Sequence, residues 1–60
     1  MPEEMALKVR SELFKRKMSQ KQLAEMLGIS TVYLSDIING RKTGPKAQEH
    51  ANHIKKILGI

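Results

Sequence analysis

Apolar residues recur every three or four positions along the chain, and no segment alternates apolar and polar for long. That period belongs to helices rather than strands. Met5, Ala6, Val9 and Leu13 share one face of a first helix expected over about residues 3 to 17, with Glu3 and Glu4 at the positive end of its dipole. Leu7 and Phe14 form a second stripe on a different side. It reads first as core, with a dimer contact as the alternative.

The second helix opens on "SQKQ", residues 19–22, a capping box in which Ser19 accepts from the backbone of Gln22 and Gln22 reaches back. Leu23, Ala24 and Leu27 follow as an apolar face, and Gly28 stands where a helix ends in the left-handed conformation. This helix is only about eight residues long. Ser30 is the expected N-cap of a third helix that runs to about residue 38 and stops at Asn39 and Gly40. "GRKTGP" is a polar loop rich in turn residues. Pro45 then enters the first turn of a fourth helix, where its missing N–H costs nothing. Ala47, Ala51, Ile54 and Leu58, with Ile57 beside them, line its buried face, Lys55 and Lys56 sit at its negative end, and Gly59 closes it.

The third helix carries the question. Its inner positions are Leu34, Ile37 and Ile38, but its other face holds Thr31, Val32, Ser35 and Asp36, where an ordinary solvated face would hold lysines and glutamates. Helices of about eight residues are not stable alone. Packing must therefore hold the second and third, and a short glycine-containing connection crosses them at a wide angle. Leu23, Ile29, Leu34 and Ile37 would pin that angle. The outward side of the third helix is then a rod about 10–12 Å across, and the major groove of B-DNA is about 12 Å wide. Thr31, Ser35 and Asp36 offer hydrogen-bonding groups, Val32 suits a thymine methyl, and Asp36 can accept from a cytosine amino group.

Charge agrees with a polyanionic partner. The formal net charge is +5, which points to nucleic acid or a membrane surface. The basic residues are spread over loops and helix ends instead of lining one amphipathic face, which argues against a membrane. No stretch approaches the roughly 18 apolar residues of a membrane span, and the opening "MPEEMALK" lacks a signal-peptide run. These features predict a soluble, cytoplasmic protein. Sixty residues make a single domain, burying only about 60% of its unfolded surface. With no cysteine there is no disulfide framework and no thiolate zinc site.

His50 and His53 have a metal-compatible spacing. They lack a third ligand, however, and His50 lies in the apolar stripe, so it reads as an edge-of-core residue. Nothing offers a catalytic foothold: no cysteine nucleophile, no distinctive carboxylate pair, no phosphate-cradling glycine loop. No enzyme activity, cofactor, metal or small-molecule ligand is expected.

The segment "MSQKQLAEMLGISTVYLSDIINGRKTGP", residues 18–45, resembles the helix-turn-helix of the Cro and phage-repressor family. Members carry a serine- or threonine-glutamine start, an "LA" pair, a glycine turn and an asparagine-glycine ending. The resemblance implies an all-α, λ-repressor-like domain of four helices over residues 1–60, with the motif at 19–40. Its second motif helix would lie in the major groove. On the matching positions Thr31, Val32 and Asp36 take base-reading places with Ser35 nearby. Gln20 meets a phosphate, Ser30, Asn39 and Arg41 hold the sugar-phosphate backbone, and Tyr33 lies along it. Lys21, Arg41, Lys42 and Lys46 flank the groove in that architecture, and "KRK" at residues 15–17 is either a further phosphate contact or a solvated face.

Two departures from the family pattern stand out. Where members often pair an arginine of the first helix with a glutamate ending the third, this chain has Leu13 and Ile38, which implies an apolar contact instead. The usual fifth helix, often used in pairing subunits, is replaced by a longer fourth. Leu7, Phe14, Ile57 and Ile60 are therefore the candidate dimer contacts. The expectation is a sequence-specific double-stranded DNA-binding homodimer, a small bacterial or phage transcriptional regulator of repressor type. The alternative is a protein-interaction module, such as an antitoxin or anti-repressor, built on the same motif.

Overall fold

Capping side chains start the two short central helices where the sequence calls for them. A computed structural model describes residues 2–60, in which α1 spans Glu3–Lys15, α2 Gln20–Leu27, α3 Thr31–Ile38 and α4 Pro45–Leu58. At the start of α2, Ser19 Oγ accepts from the Gln22 N–H at 3.1 Å, and Gln22 Oε1 accepts from the Ser19 N–H at 2.8 Å. Ser30 Oγ accepts from the Tyr33 N–H at 3.1 Å to open α3. Two orphan donors are satisfied at the first of these ends and one at the second.

All four helices stop by one device. Just past each end a residue turns left-handed, and the next N–H bonds back five residues: Met18 to the Leu13 carbonyl at 2.9 Å, Ile29 to Ala24 at 3.0 Å, Arg41 to Asp36 at 2.8 Å and Ile60 to Lys55 at 3.0 Å. Three of the left-handed residues are glycines, but the first is Lys17, at φ 54°. This conformation costs an L-residue about 1–2 kcal/mol. It ends α1 at Lys15, two residues earlier than the apolar period suggested. In return the reversal brings Met18 down onto the core.

The core draws on every helix. Ala6, Val9 and Leu13 come from α1, Leu23 and Ala24 from α2, Leu34, Ile37 and Ile38 from α3, and Ala47, Ala51, Ile54 and Leu58 from α4. Met18, Leu27, Ile29, Tyr33, Ile57 and Ile60 close its margin. No polar or charged residue is buried among the described residues. The third helix packs against each of the other three, and α1 also packs against α4.

One expectation is corrected here. The Leu7 and Phe14 stripe is not core: Leu7 is 58% exposed and Phe14 86%. Ala6, Val9 and Leu13 already fill the space between α1 and its neighbours, and the Leu7 and Phe14 stripe, roughly 100° further round the helix, is left in solvent. The "KRK" cluster is also divided. Arg16 Nε donates to the Glu12 carboxylate at 3.1 Å and Arg16 Nη2 to the Leu58 carbonyl at 3.0 Å, tying the end of α1 to the end of α4.

Leu13 and Ile38 both lie in the buried cluster, 4% and 1% exposed. A carboxylate introduced there has no partner, and breaking such a buried arrangement typically costs about 3–5 kcal/mol. A 60-residue domain has only roughly 3–9 kcal/mol to lose. Ile38→Glu is therefore expected to abolish most of the thermal unfolding transition, and adding Leu13→Arg to restore part of it. Calorimetry of the two variants checks this; an unchanged Tm for Ile38→Glu contradicts the packing described.

Candidate nucleic-acid interface

The turn between α2 and α3 decides what α3 shows to solvent. Gly28 is left-handed at φ 71°, Ile29 packs against the core, and Ser30 caps the next helix. With only these three residues between them, the two short helices cannot separate. Leu34, Ile37 and Ile38 then face inward, and the opposite side of α3 is left uncovered.

On that side Thr31 is exposed and Val32 is 73% exposed. Ser35 and Asp36 are half-buried and Asn39 is exposed at the helix end. Val32 is the telling residue, because a β-branched apolar side chain in open solvent adds nothing to the core and little to helix propensity. No cavity opens beside it or elsewhere among the described residues.

Side chains from three other segments organise the margins of this face. Asn39 Nδ2 donates to Ser35 Oγ at 3.1 Å, and Arg10 of α1 donates through Nη2 to Asn39 Oδ1. Beyond the helix end Arg41 Nη1 donates to Asp36 Oδ1 at 3.2 Å. That ion pair follows from the way α3 stops: the Arg41 N–H already bonds to the Asp36 carbonyl, so the two side chains leave the backbone side by side. A surface pair of this kind contributes only about 0–1 kcal/mol. On the opposite flank the Tyr33 ring meets His50 of α4 edge-on, with centroids 5.6 Å apart and planes at 88°. Tyr33 is thus half-buried against the core and α4 rather than free along an edge.

The remaining predicted backbone residues lie at the starts of α2, α3 and α4 and in the loop after α3. Gln20 is the first residue of α2 and half-buried, while Lys21 beside it is exposed. Ser30 is exposed, its hydroxyl occupied by the cap. Lys42 is exposed in the loop, its N–H sharing the Asp36 carbonyl at 3.3 Å, and Lys46 is exposed in the first turn of α4. Arg10 is the residue that sequence reasoning missed. A signal existed: Arg10 lies one turn before Leu13, and Asn39 follows Ile38, so an apolar contact between positions 13 and 38 brings 10 and 39 together.

The four candidate dimer residues do not form one exposed patch. Leu7, Arg10 and Phe14 share a stripe at helical spacing, and Arg10 reaches the end of α3. Arg16, about 120° further round α1, reaches the end of α4 instead. Leu7 and Phe14 therefore border the α3 side of α1, whereas Ile57 and Ile60 are half-buried against the core at the α4 end.

A family model described as helix-turn-helix matches residues 10–49, 40 of the chain's 60 residues. No curated protein and no solved structure matches the chain.

Because Val32 takes no part in the core, Val32→Ala is expected to leave the Tm unchanged or raise it slightly, alanine being the better helix former by up to about 0.7 kcal/mol. Thermal unfolding followed by circular dichroism measures this. A Tm lowered by several degrees would show that Val32 is packed.

Proposed function

The chain belongs to the Cro/C1-type helix-turn-helix family, a family of DNA-binding regulators, and from that premise we propose that it is a sequence-specific repressor reading the major groove with α3. The observation that carries this reading is the uncovered face of α3, with Val32 in solvent and hydrogen-bonding side chains around it. Affinity comes mainly from phosphate neutralisation and discrimination from base edges. Lys21, Lys42 and Lys46 supply charge, Arg41 offers the donors that Asp36 leaves unused, and Gln20 and Ser30 sit at helix starts, where free N–H groups and the dipole favour phosphate. Thr31, Val32 and Ser35 touch base edges. Asp36 does so without repelling the backbone, because Arg41 compensates its charge.

Occupancy of an operator by such a domain blocks polymerase in the cytoplasm of a bacterial or phage-infected cell. A single module buries about 600–1,000 Å² on DNA, which is modest. The protein therefore acts as a homodimer on half-sites about 34 Å apart, with Leu7 and Phe14 the more available of the candidate contacts. Among the described residues no helix is long and apolar enough to cross a membrane.

Selection of bound sites from a random duplex library tests the reading. One short motif is expected to enrich, and Thr31→Ala or Val32→Ala to relax it at particular positions; no enrichment at all overturns sequence-specific binding. On the selected duplex, log affinity should fall with log salt by about 0.9 per phosphate, with roughly four to six phosphates per subunit. Affinity independent of salt contradicts it.

Sedimentation of the protein with that duplex is expected to show two chains per site. One chain per site at saturation removes the dimer.

A further inference from the structure

We propose that Arg10 of α1 is a DNA-backbone ligand, and that Asn39 aims it instead of binding phosphate itself. This rests on the DNA-binding reading above and adds a residue outside the motif.

The bonding of Asn39 leaves little choice. A guanidinium can only donate, so the amide oxygen must face Arg10 and the amide nitrogen must face Ser35. Both contacts are present, Arg10 Nη2 to Asn39 Oδ1 and Asn39 Nδ2 to Ser35 Oγ at 3.1 Å. The side-chain amide is thus spent on both sides, with one N–H to spare. Arg10, in contrast, has used one of its five donors, and the others form the planar fork that suits a phosphate.

Its charge is equally available. Among the described residues two ion pairs form, Arg16 with Glu12 and Arg41 with Asp36. The neutral amide that holds Arg10 fixes its direction without cancelling its charge. Arg16 makes the contrast clear. It lies on the same helix, but its charge meets Glu12 and its second contact is the Leu58 carbonyl, on the side of α1 away from α3. One arginine of α1 braces the fold, and the other stands exposed at the rim of the reading face. The negative end of the α3 dipole holds it there in the free protein, and a phosphate with a full charge competes well for the same donors.

Arg10→Gln removes the charge and keeps a polar side chain with hydrogen-bond donors at this position. Duplex affinity is measured for this variant and the wild type across a salt series, on the selected site and on a random-sequence duplex. The expected result is a slope shallower by about 0.9, so that raising salt from 50 to 200 mM costs the variant about 3.5-fold less affinity than it costs the wild type. The loss should be equal on the two duplexes, because a phosphate carries no base information.

Asn39→Ala should keep the wild-type slope, since the charged ligand remains. An unchanged slope for Arg10→Gln, with DNA binding intact, reduces Arg10 to a brace and overturns the proposal alone. Absence of salt-dependent duplex binding by the wild type overturns the DNA-binding reading with it.

Discussion

Three aliphatic side chains, Leu34, Ile37 and Ile38, are sealed into a core that every helix shares, and their burial dictates how α3 is oriented. An eight-residue helix has no independent stability, so its orientation is whatever its packing imposes. Because α3 touches all three other helices, rotating it would expose aliphatic surface on several sides at once. Each fully buried aliphatic side chain contributes about 1.5–3 kcal/mol, and a domain this small has few such contributions. The face carrying Val32 is solvent-facing as a consequence of what lies behind it.

The way the helices stop converts that constraint into a site. At the end of α2 the left-handed Gly28 folds Ile29 onto the core and starts α3 two residues later. At the end of α3 the same reversal sets Arg41 beside Asp36. In the first two helices this geometry joins apolar groups to the core; in α3 it joins opposite charges beside the exposed face. One backbone motif thus serves packing at one place and electrostatics at another. At Lys17 it is retained without glycine, at a local backbone cost.

Much of this was legible in the chain. The capping box at Ser19 and Gln22, the serine cap at Ser30, the stops at Gly28, Gly40 and Gly59 and the buried stripe of α4 are local signals, decided within a few residues. The exposure of Leu7 and Phe14 was not legible, because helical spacing shows that two residues share a face and not whether anything covers it. Nor was the contact of Tyr33 with His50, which joins residues far apart in sequence and depends on how the helices cross; that of Arg10 with Asn39 was reachable only by way of the apolar pair at positions 13 and 38. The Asp36 and Arg41 pair lay between these cases. Its partners are five residues apart, but they meet only because the backbone reverses between them.

The central claim is that nucleic acid meets the outward face of α3 and its margins. Titrating isotope-labelled protein with duplex DNA and following backbone amide shifts tests it most directly. The account predicts the largest changes at residues 20–21, 31–36 and 39–42, with a side-chain response at Arg10. Changes confined to the end of α4, or to the Leu7 and Phe14 stripe, with α3 unperturbed, would contradict it.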